Sequence, residues 1–301
     1  MYQFISVSDD APELTEQLGT KEKFWLHIGE HRYLFKIGRP GTGENWAEKV
    51  ASELCSLLHL PRAVYEFAIW KNQKGVLSPA FVPSGGRLIM GNELLAEVHT
   101  NYPTQQMRNV TDHTLGRIHA LLSQKEIRAP LDWNAPDPSI RTAFEVFIGY
   151  LMLDAWIANQ DRHHENWGFI NFQRAIYLAP TYDHAASMGQ NETDSARKER
   201  LETRDAGRHI RHYASRARSS IYAKKDDLKP LSTIDAFRQA AAKSPKAASF
   251  WLTRLLAVTD EDCCAIFNEI PSNEASPIAR EFALSLLHVN RDRLLSAEPS
   301  P

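Results

Sequence analysis

Asp161, Arg162, His163, His164, Glu165 and Asn166 follow an apolar stretch, and Thr181, Tyr182 and Asp183 stand beyond a short strand-like pair. An aspartate followed five positions later by an asparagine, with a second aspartate past a hairpin, is a set of groups suited to phosphoryl transfer. One carboxylate can meet an attacking hydroxyl. The amide and the second carboxylate can hold Mg²⁺, which takes few protein ligands and leaves the rest to water and phosphate. Such chemistry is chiefly positioning and charge neutralisation, so it also needs a cation on the phosphates. Lys36, inside the apolar run 33–37, supplies one, although a lysine in that setting can equally be an outward edge charge. Asp161 is thereby the candidate catalytic base, Asn166 and Asp183 the candidate metal ligands, and Lys36 the candidate phosphate anchor.

These groups need a scaffold that gathers them. Residues 24–28 and 33–37 read as two strands joined by a tight turn at Gly29, followed by a Gly/Pro-rich loop at 38–43. Trp46, Val50, Leu54, Leu57 and Leu58 then recur at helical spacing up to a stop at Pro61. Strand, lysine, loop and helix is a protein-kinase order of parts. The helix carries Glu44 and Glu48 one turn apart, and spacing does not choose which pairs with Lys36. Glu44 reads as a solvated acid favouring the helix N-terminus, which leaves Glu48 as the candidate partner. Residues 63–70 and 75–82 read as further strands, and the break at 83–86 marks a hinge between a strand-rich and a helix-rich part.

Beyond the break the chain reads mainly as helix. A helix bearing Phe144, Phe147, Ile148, Leu151, Met152 and Ala155 anchors the loop at Asp161, and residues 167–172 and 175–178 form a hairpin that returns to Asp183. The arginine-rich stretch 197–218, with Glu199, Glu202 and Asp205 interspersed, reads as a solvated helix rather than a docking site. Residues 234–295 regain helical periodicity and form a C-terminal helical cap. The fold class expected is α+β and bilobal, with a strand-rich N-lobe over 1–83 and a mainly helical C-lobe over 84–301.

Composition narrows the partners. At 301 residues, 43% hydrophobic and 24% charged, the chain is long enough to bury a sizeable core, and a net charge of −2 argues against direct nucleic-acid binding. Cys55, Cys263 and Cys264 make neither a disulfide ladder nor a CxxC metal pattern, which suits a reducing cytoplasm. The longest apolar run, 146–153, falls far short of the roughly 20 residues a bilayer needs. No membrane partner is expected.

Three other readings compete with this one. A metal-dependent phosphohydrolase could use Asp161, His163, His164, Asp183 and His184 around a transition metal, but it leaves Lys36 and its helix unexplained. A phosphoinositide-type kinase would be expected to show a membrane-directed basic or aromatic surface, and no segment clearly provides one. A partner-binding pseudokinase would have lost a catalytic position, and none is lost. His163 reads as loop architecture rather than a proton-transfer group, and the single glycine of residues 19–23 is a poor phosphate-cradling signal by itself.

The chain resembles the HipA-like serine/threonine kinases, in particular the compact CtkA-type branch. The resemblance is carried by GTKEKFWL at 19–26, YLFK at 33–36, GENWAEKVASEL at 43–54, LSPAFVPSGGRLIMGNELL at 77–95, NQDRHHENWGF at 159–169 and YDHAASMG at 182–189. It implies a bilobal kinase with ATP and Mg²⁺ in the interlobe cleft, transferring the γ-phosphate to a protein hydroxyl. Gly19, Thr20, Lys36, Ser78, Phe81 and His163 would then contact the nucleotide, and Lys36, Glu48 and Asp161 would be catalytic. The family further implies a toxin of a toxin–antitoxin system, with a small antitoxin protein as partner. Two departures stand out. Leu18 precedes Gly19 where the family's loop often carries an autophosphorylated serine, and only about a strand and a turn precede the loop.

Overall fold

In the computed structural model, which describes residues 1–15 and 22–296, the alternating apolar stretches of the first 79 residues become one sheet. Its strands are β1 (Ile5–Val7), β2 (Leu14–Thr15), β3 (Lys23–Ile28), β4 (His31–Ile37), β5 (Glu66–Trp70) and β6 (Gln73–Pro79), with α1 (Glu44–Leu58) inserted after β4. The spatial order is β1-β5-β6-β4-β3-β2, antiparallel except for the β1–β5 pair. Gly29, at φ +61°, makes the turn between β3 and β4, a backbone conformation that costs glycine little.

Period-two alternation divides the sheet into two faces. Phe24, Leu26, Phe35, Ala68 and Leu77 form a small apolar cluster on one face. Lys36 pairs in register with Val76, which belongs to the main core with α1, so the lysine lies on the helix side of the sheet. Gly75 lets β6 come this close: a Cβ there would stand 2.3 Å from the Lys36 carbonyl oxygen.

A four-stranded sheet follows, built from β7 (Arg87–Met90), β8 (Ile127–Arg128), β9 (Gly168–Phe172) and β10 (Ala175–Leu178) in the order β7-β9-β10-β8. Helices α2 (Gly91–Val98), α3 (Leu115–Leu122) and α4 (Ala143–Trp156) are interleaved with these strands. α4 starts with a Thr142/Glu145 capping box, and every residue in it except Glu145 is buried. A helix apolar on all sides belongs at the centre of a core, and α4 packs against three of the later helices. These later helices are α5 (Asp194–Glu202), α6 (Ile210–Ser215), α7 (Thr233–Ala241), α8 (Pro245–Ala257), α9 (Asp260–Asn268) and α10 (Pro277–Leu295); α4 contacts α7, α8 and α10.

The structure differs from the sequence expectation in three respects. The strand expected from residue 63 begins at Glu66, because the Ala63 amide donates to Thr181 O at 2.9 Å and draws that end toward the second half of the chain. The strand expected to reach residue 82 stops at Pro79, and β7 and β8 join the expected 168–178 hairpin as unanticipated neighbours. The C-terminal helices also reach back to α1: Arg254 donates to Leu57 O at 3.1 Å, and the Phe267 ring packs on Trp46. Among the described residues no helix is long and apolar enough to cross a membrane.

Candidate active site

The loop after α4 is fixed from beneath by a buried ion pair. Asp154, the one buried acid of α4, accepts from Arg162 at both carboxylate oxygens, 2.7 Å each. Arg162, with 0% of its surface exposed, also donates to the Asn166 carbonyl at 2.6 Å and to Thr181 Oγ1 at 3.0 Å. One guanidinium therefore ties the end of α4, the 161–166 loop and the segment leading to Asp183 together. Burial alone would disfavour its charge, but the Asp154 carboxylate more than offsets this and raises its pKa. Asn159 extends the anchor by donating to Asp154 Oδ1 at 2.8 Å and accepting from the Asp161 amide at 3.2 Å.

On that base Asp161 and Asn166 face each other. The Asn166 Nδ2 donates to the Asp161 carbonyl at 2.7 Å, which spends the amide's donor side and leaves Oδ1 as the group able to face a cation. Asp183 has φ 59°, a left-handed conformation that a non-glycine residue holds only when its surroundings impose it. Here the surroundings are explicit. The Asp183 amide donates to the Tyr65 hydroxyl at 3.3 Å, and the His184 amide donates to Glu48 Oε2 at 2.9 Å.

Lys36 completes the cluster. Its Nζ lies 3.2 Å from Glu48 Oε1, 3.4 Å from Asp183 Oδ1 and 3.3 Å from the Tyr65 hydroxyl. Burial pulls the lysine pKa down, but Asp183 and then Glu48 outweigh it, so the ammonium is held well above its ordinary value. Glu48, not Glu44, is the partner. Glu44 is not the solvated acid expected: it is buried and accepts from the Arg39 amide at 3.0 Å and its guanidinium at 2.8 Å.

Lys36, Ser78, Phe81, Asp161, His163, Asn166 and Asp183 all line one cleft of about 1880 Å³ between the two halves of the molecule. Ser78 is buried in β6 opposite Leu34, and the Phe81 ring stacks on Tyr182 at 5.7 Å. His163 accepts the Glu165 amide on Nδ1 at 3.2 Å, so its proton sits on Nε2, 3.9 Å from Asp161 Oδ1. Gly19 and Thr20 lie outside the described residues.

Three further histidines near the site are built into the frame. His184 Nε2 meets Thr181 Oγ1 at 2.8 Å, and His164 Nδ1 meets the Tyr102 hydroxyl at 2.9 Å. His113 Nδ1 donates to Ser220 O at 2.9 Å while its Nε2 accepts from Trp167 at 3.1 Å. Burial lowers all three, His113 to about 3, His164 to about 4 and His184 well below its ordinary value. Among the described residues no three His, Cys, Asp or Glu side chains converge to hold a metal ion, which counts against the transition-metal phosphohydrolase. Asn166 and Asp183, the candidate metal ligands, both line the cleft, and the amide oxygen and carboxylate they offer are hard oxygens in small number, the kind that suits Mg²⁺.

Several residues that shape the site lie outside the sequence-based expectation. Asp154 carried a signal, being an acid directly after the apolar run 146–153 and within the same helix, as did Arg162 beside Asp161. Tyr65 carried none. Within the stretch expected to be solvated, Arg197 is buried and donates to Gly189 O at 3.0 Å and Gln190 O at 3.2 Å. Gln190 in turn receives the Gly43 amide on both its carbonyl and its side-chain oxygen, at 3.0 and 3.1 Å, which fastens the start of α1 to the segment after Asp183.

Compared with protein-family models and with curated protein sequences, the chain matches none. Solved structures do match. The Helicobacter pylori proinflammatory kinase CtkA superposes with a TM-score of 0.69 at 17% identity, covering 99% of this chain and 100% of that one. A chain from the Shewanella oneidensis HipA–HipB–operator DNA complex superposes with a TM-score of 0.58 at 13% identity, covering 93% of this chain and 65% of that one. The chain therefore has the HipA/CtkA-like kinase fold, α+β with a strand-rich lobe and a helical one.

Proposed function

We propose that this chain is an ATP- and Mg²⁺-dependent serine/threonine kinase that transfers the γ-phosphate to a protein hydroxyl. The observation that carries the reading is one cleft lined by Lys36, Asp183, Asn166 and Asp161, with Glu48 and Asp183 both on the Lys36 ammonium. The N-lobe is assigned to residues 1–83 and the C-lobe to 84–301, in keeping with β6 ending at Pro79 and β7 opening the second sheet at Arg87.

In this reading the Asp161 carboxylate accepts the proton of the attacking hydroxyl, and its loop is held by Arg162 so that the carboxylate need not reorganise. Lys36 neutralises phosphate charge while Glu48 restrains its ammonium. Lys23, the cross-strand neighbour of Lys36, lines the same cleft and adds a second cation there. Asn166 and Asp183 would hold Mg²⁺, which supplies charge neutralisation at the phosphate oxygens when bound. The Phe81 and Val82 peptide groups make no hydrogen bond within the described residues and offer the edge against which a nucleobase could pair. His163, Ser78 and, outside the described residues, Gly19 and Thr20 complete the proposed nucleotide contacts.

A cytoplasmic location and a toxin role with a small antitoxin partner belong to the same proposal, supported by the likeness to a chain from a HipA–HipB complex. The test is transfer of labelled γ-phosphate from ATP to host-lysate protein by the purified chain. Asp161→Asn is expected to lower transfer by about 10²–10⁴-fold with an unchanged melting curve. Unchanged labelling in that variant removes Asp161 from the mechanism.

A further inference from the structure

The cleft is larger than a nucleotide requires. At about 1880 Å³ it is roughly twice the size of a large small-molecule pocket, about 1,000 Å³, so it has room for part of an acceptor as well. Next to the catalytic loop its wall includes residues 105–110, 218–220, Tyr222 and Pro230. These stretches contain no acid, and the charged side chains they bring to the cleft are Arg108 and Arg218.

Both stretches are fastened to the catalytic loop. Ser220 Oγ donates to the carbonyl of Gln160, the residue before Asp161, at 3.4 Å. Asn92 bridges the loop to the chain ahead of Arg108, donating its amide to His164 O at 3.0 Å and its side-chain nitrogen to Thr104 O at 3.1 Å. The two stretches are also laced together at His113. Its amide donates to Val110 O at 3.0 Å, its ring donates to Ser220 O at 2.9 Å and its carbonyl accepts the Tyr222 amide at 2.9 Å. Arg108 and Arg218 each stand two residues before one of these links, so both are carried on one frame with the candidate base.

Their main chains are fixed, while their guanidiniums are not spent on acids. Gln106 Nε2 donates to the Arg108 and Asn109 carbonyls at 2.8 and 3.2 Å, and Arg218 is bridged to Ser232. Both arginines are exposed. Among the described residues Arg108 has no ion-pair partner, and the Arg218 guanidinium donates to Pro230 O at 3.4 Å. Asp112, an acid close to both stretches, is already held by Arg117 and Lys225. A guanidinium recognises a carboxylate through paired donors, so this wall suits an acidic segment.

Resting on the kinase reading above, we infer that Arg108 and Arg218 select the acceptor: they bind carboxylates that flank the phosphorylated serine or threonine of the protein substrate. Glu165 of the catalytic loop also lines the cleft, which makes a basic acceptor segment the rival outcome.

The experiment labels host lysate with γ-phosphate from Mg–ATP using the full-length chain and maps the modified residue. A synthetic peptide copying that site is then compared with one whose flanking Asp and Glu are replaced by Asn and Gln. Wild type is expected to modify a residue flanked by acids and to lose about tenfold in kcat/KM on the neutralised peptide. The double variant Arg108→Glu, Arg218→Glu should lose about tenfold or more on the acidic peptide, bind Mg–ATP as wild type does, and gain nothing from acids in the peptide. A mapped site with neutral or basic flanks overturns the inference and leaves the kinase reading standing. So does a double variant that phosphorylates the acidic peptide as wild type does, or one that loses Mg–ATP binding, since the arginines would then serve the nucleotide. Absence of any labelled protein with wild type overturns the kinase reading and this inference with it.

Discussion

Replacing Arg162 with Met keeps a stem of similar length and removes every donor at the point where α4, the 161–166 loop and Thr181 meet. The Asp154 carboxylate, itself buried, then has no charged partner, and breaking a buried pair from one side costs about 3–5 kcal/mol. Asp154→Leu strands the guanidinium instead and should cost a similar amount. The double variant contains no stranded charge. It loses the hydrogen bonds to the Asn166 carbonyl, Thr181 and Asn159, for which about 1–3 kcal/mol in total is the expected cost. Simple addition would give about 6–10 kcal/mol, so the cycle should return a coupling of at least about 3 kcal/mol. Urea denaturation of the four proteins, followed by circular dichroism with the slopes checked for constancy, reads this directly. Stability recovered in the double variant should not bring transfer back, because the loop carbonyl is no longer held; a shift of 1 Å costs about a hundredfold. An additive cycle, or a double variant with normal turnover, would refute the account of Arg162 as the anchor of the loop.

Glu48→Gln keeps the shape of the side chain but removes one of the two carboxylates that restrain the Lys36 ammonium, and it should raise the KM for ATP and lower kcat together by about tenfold or more. Transfer kinetics check it, and normal constants would mean that Asp183 restrains the lysine unaided. Acid should destabilise the fold through its buried histidines. His113 and His164 are held at about 3 and about 4, below the ordinary 6.5, so the unfolded chain takes up protons first as the pH falls. Their contribution is complete above about 6.5 and drains away below it until the folded values are passed. Each histidine loses about 1.4 kcal/mol per pH unit, so the pair should cost up to about 4 kcal/mol between pH 6.5 and 5. Urea midpoints at pH 7, 6 and 5 measure this, and a midpoint flat over that range would contradict it.

Much of the scaffold was legible because it depends on short-range rules. Period-two patterning located β3 and β4, helical spacing located α1 and α4, and the hairpin of β9 and β10 fell within a residue of its expected limits. β7 and β8 were missed, since strands of four and two residues carry too little pattern to separate from loop. Glu44 was misjudged for a related reason. A first-turn acid is usually solvated, but the guanidinium and amide of Arg39 capture this one where the chain folds over it.

From the order of its residues alone, this chain specified which acids, amides and lysines were on offer and which of them share a loop or a strand face. Covalent geometry over a few residues sets those relations, as for Asp161 and Asn166, or for Lys36 on the face opposite Phe35. Tertiary structure chose among the partners. Glu48 meets the His184 amide across 136 positions, and Gly43 meets Gln190 across 147. Contacts between segments so distant form only when a whole core packs around them. The choice between Glu44 and Glu48, the burial of Arg197 and the capture of Arg162 by Asp154 were therefore decided by packing, which short-range pattern does not encode.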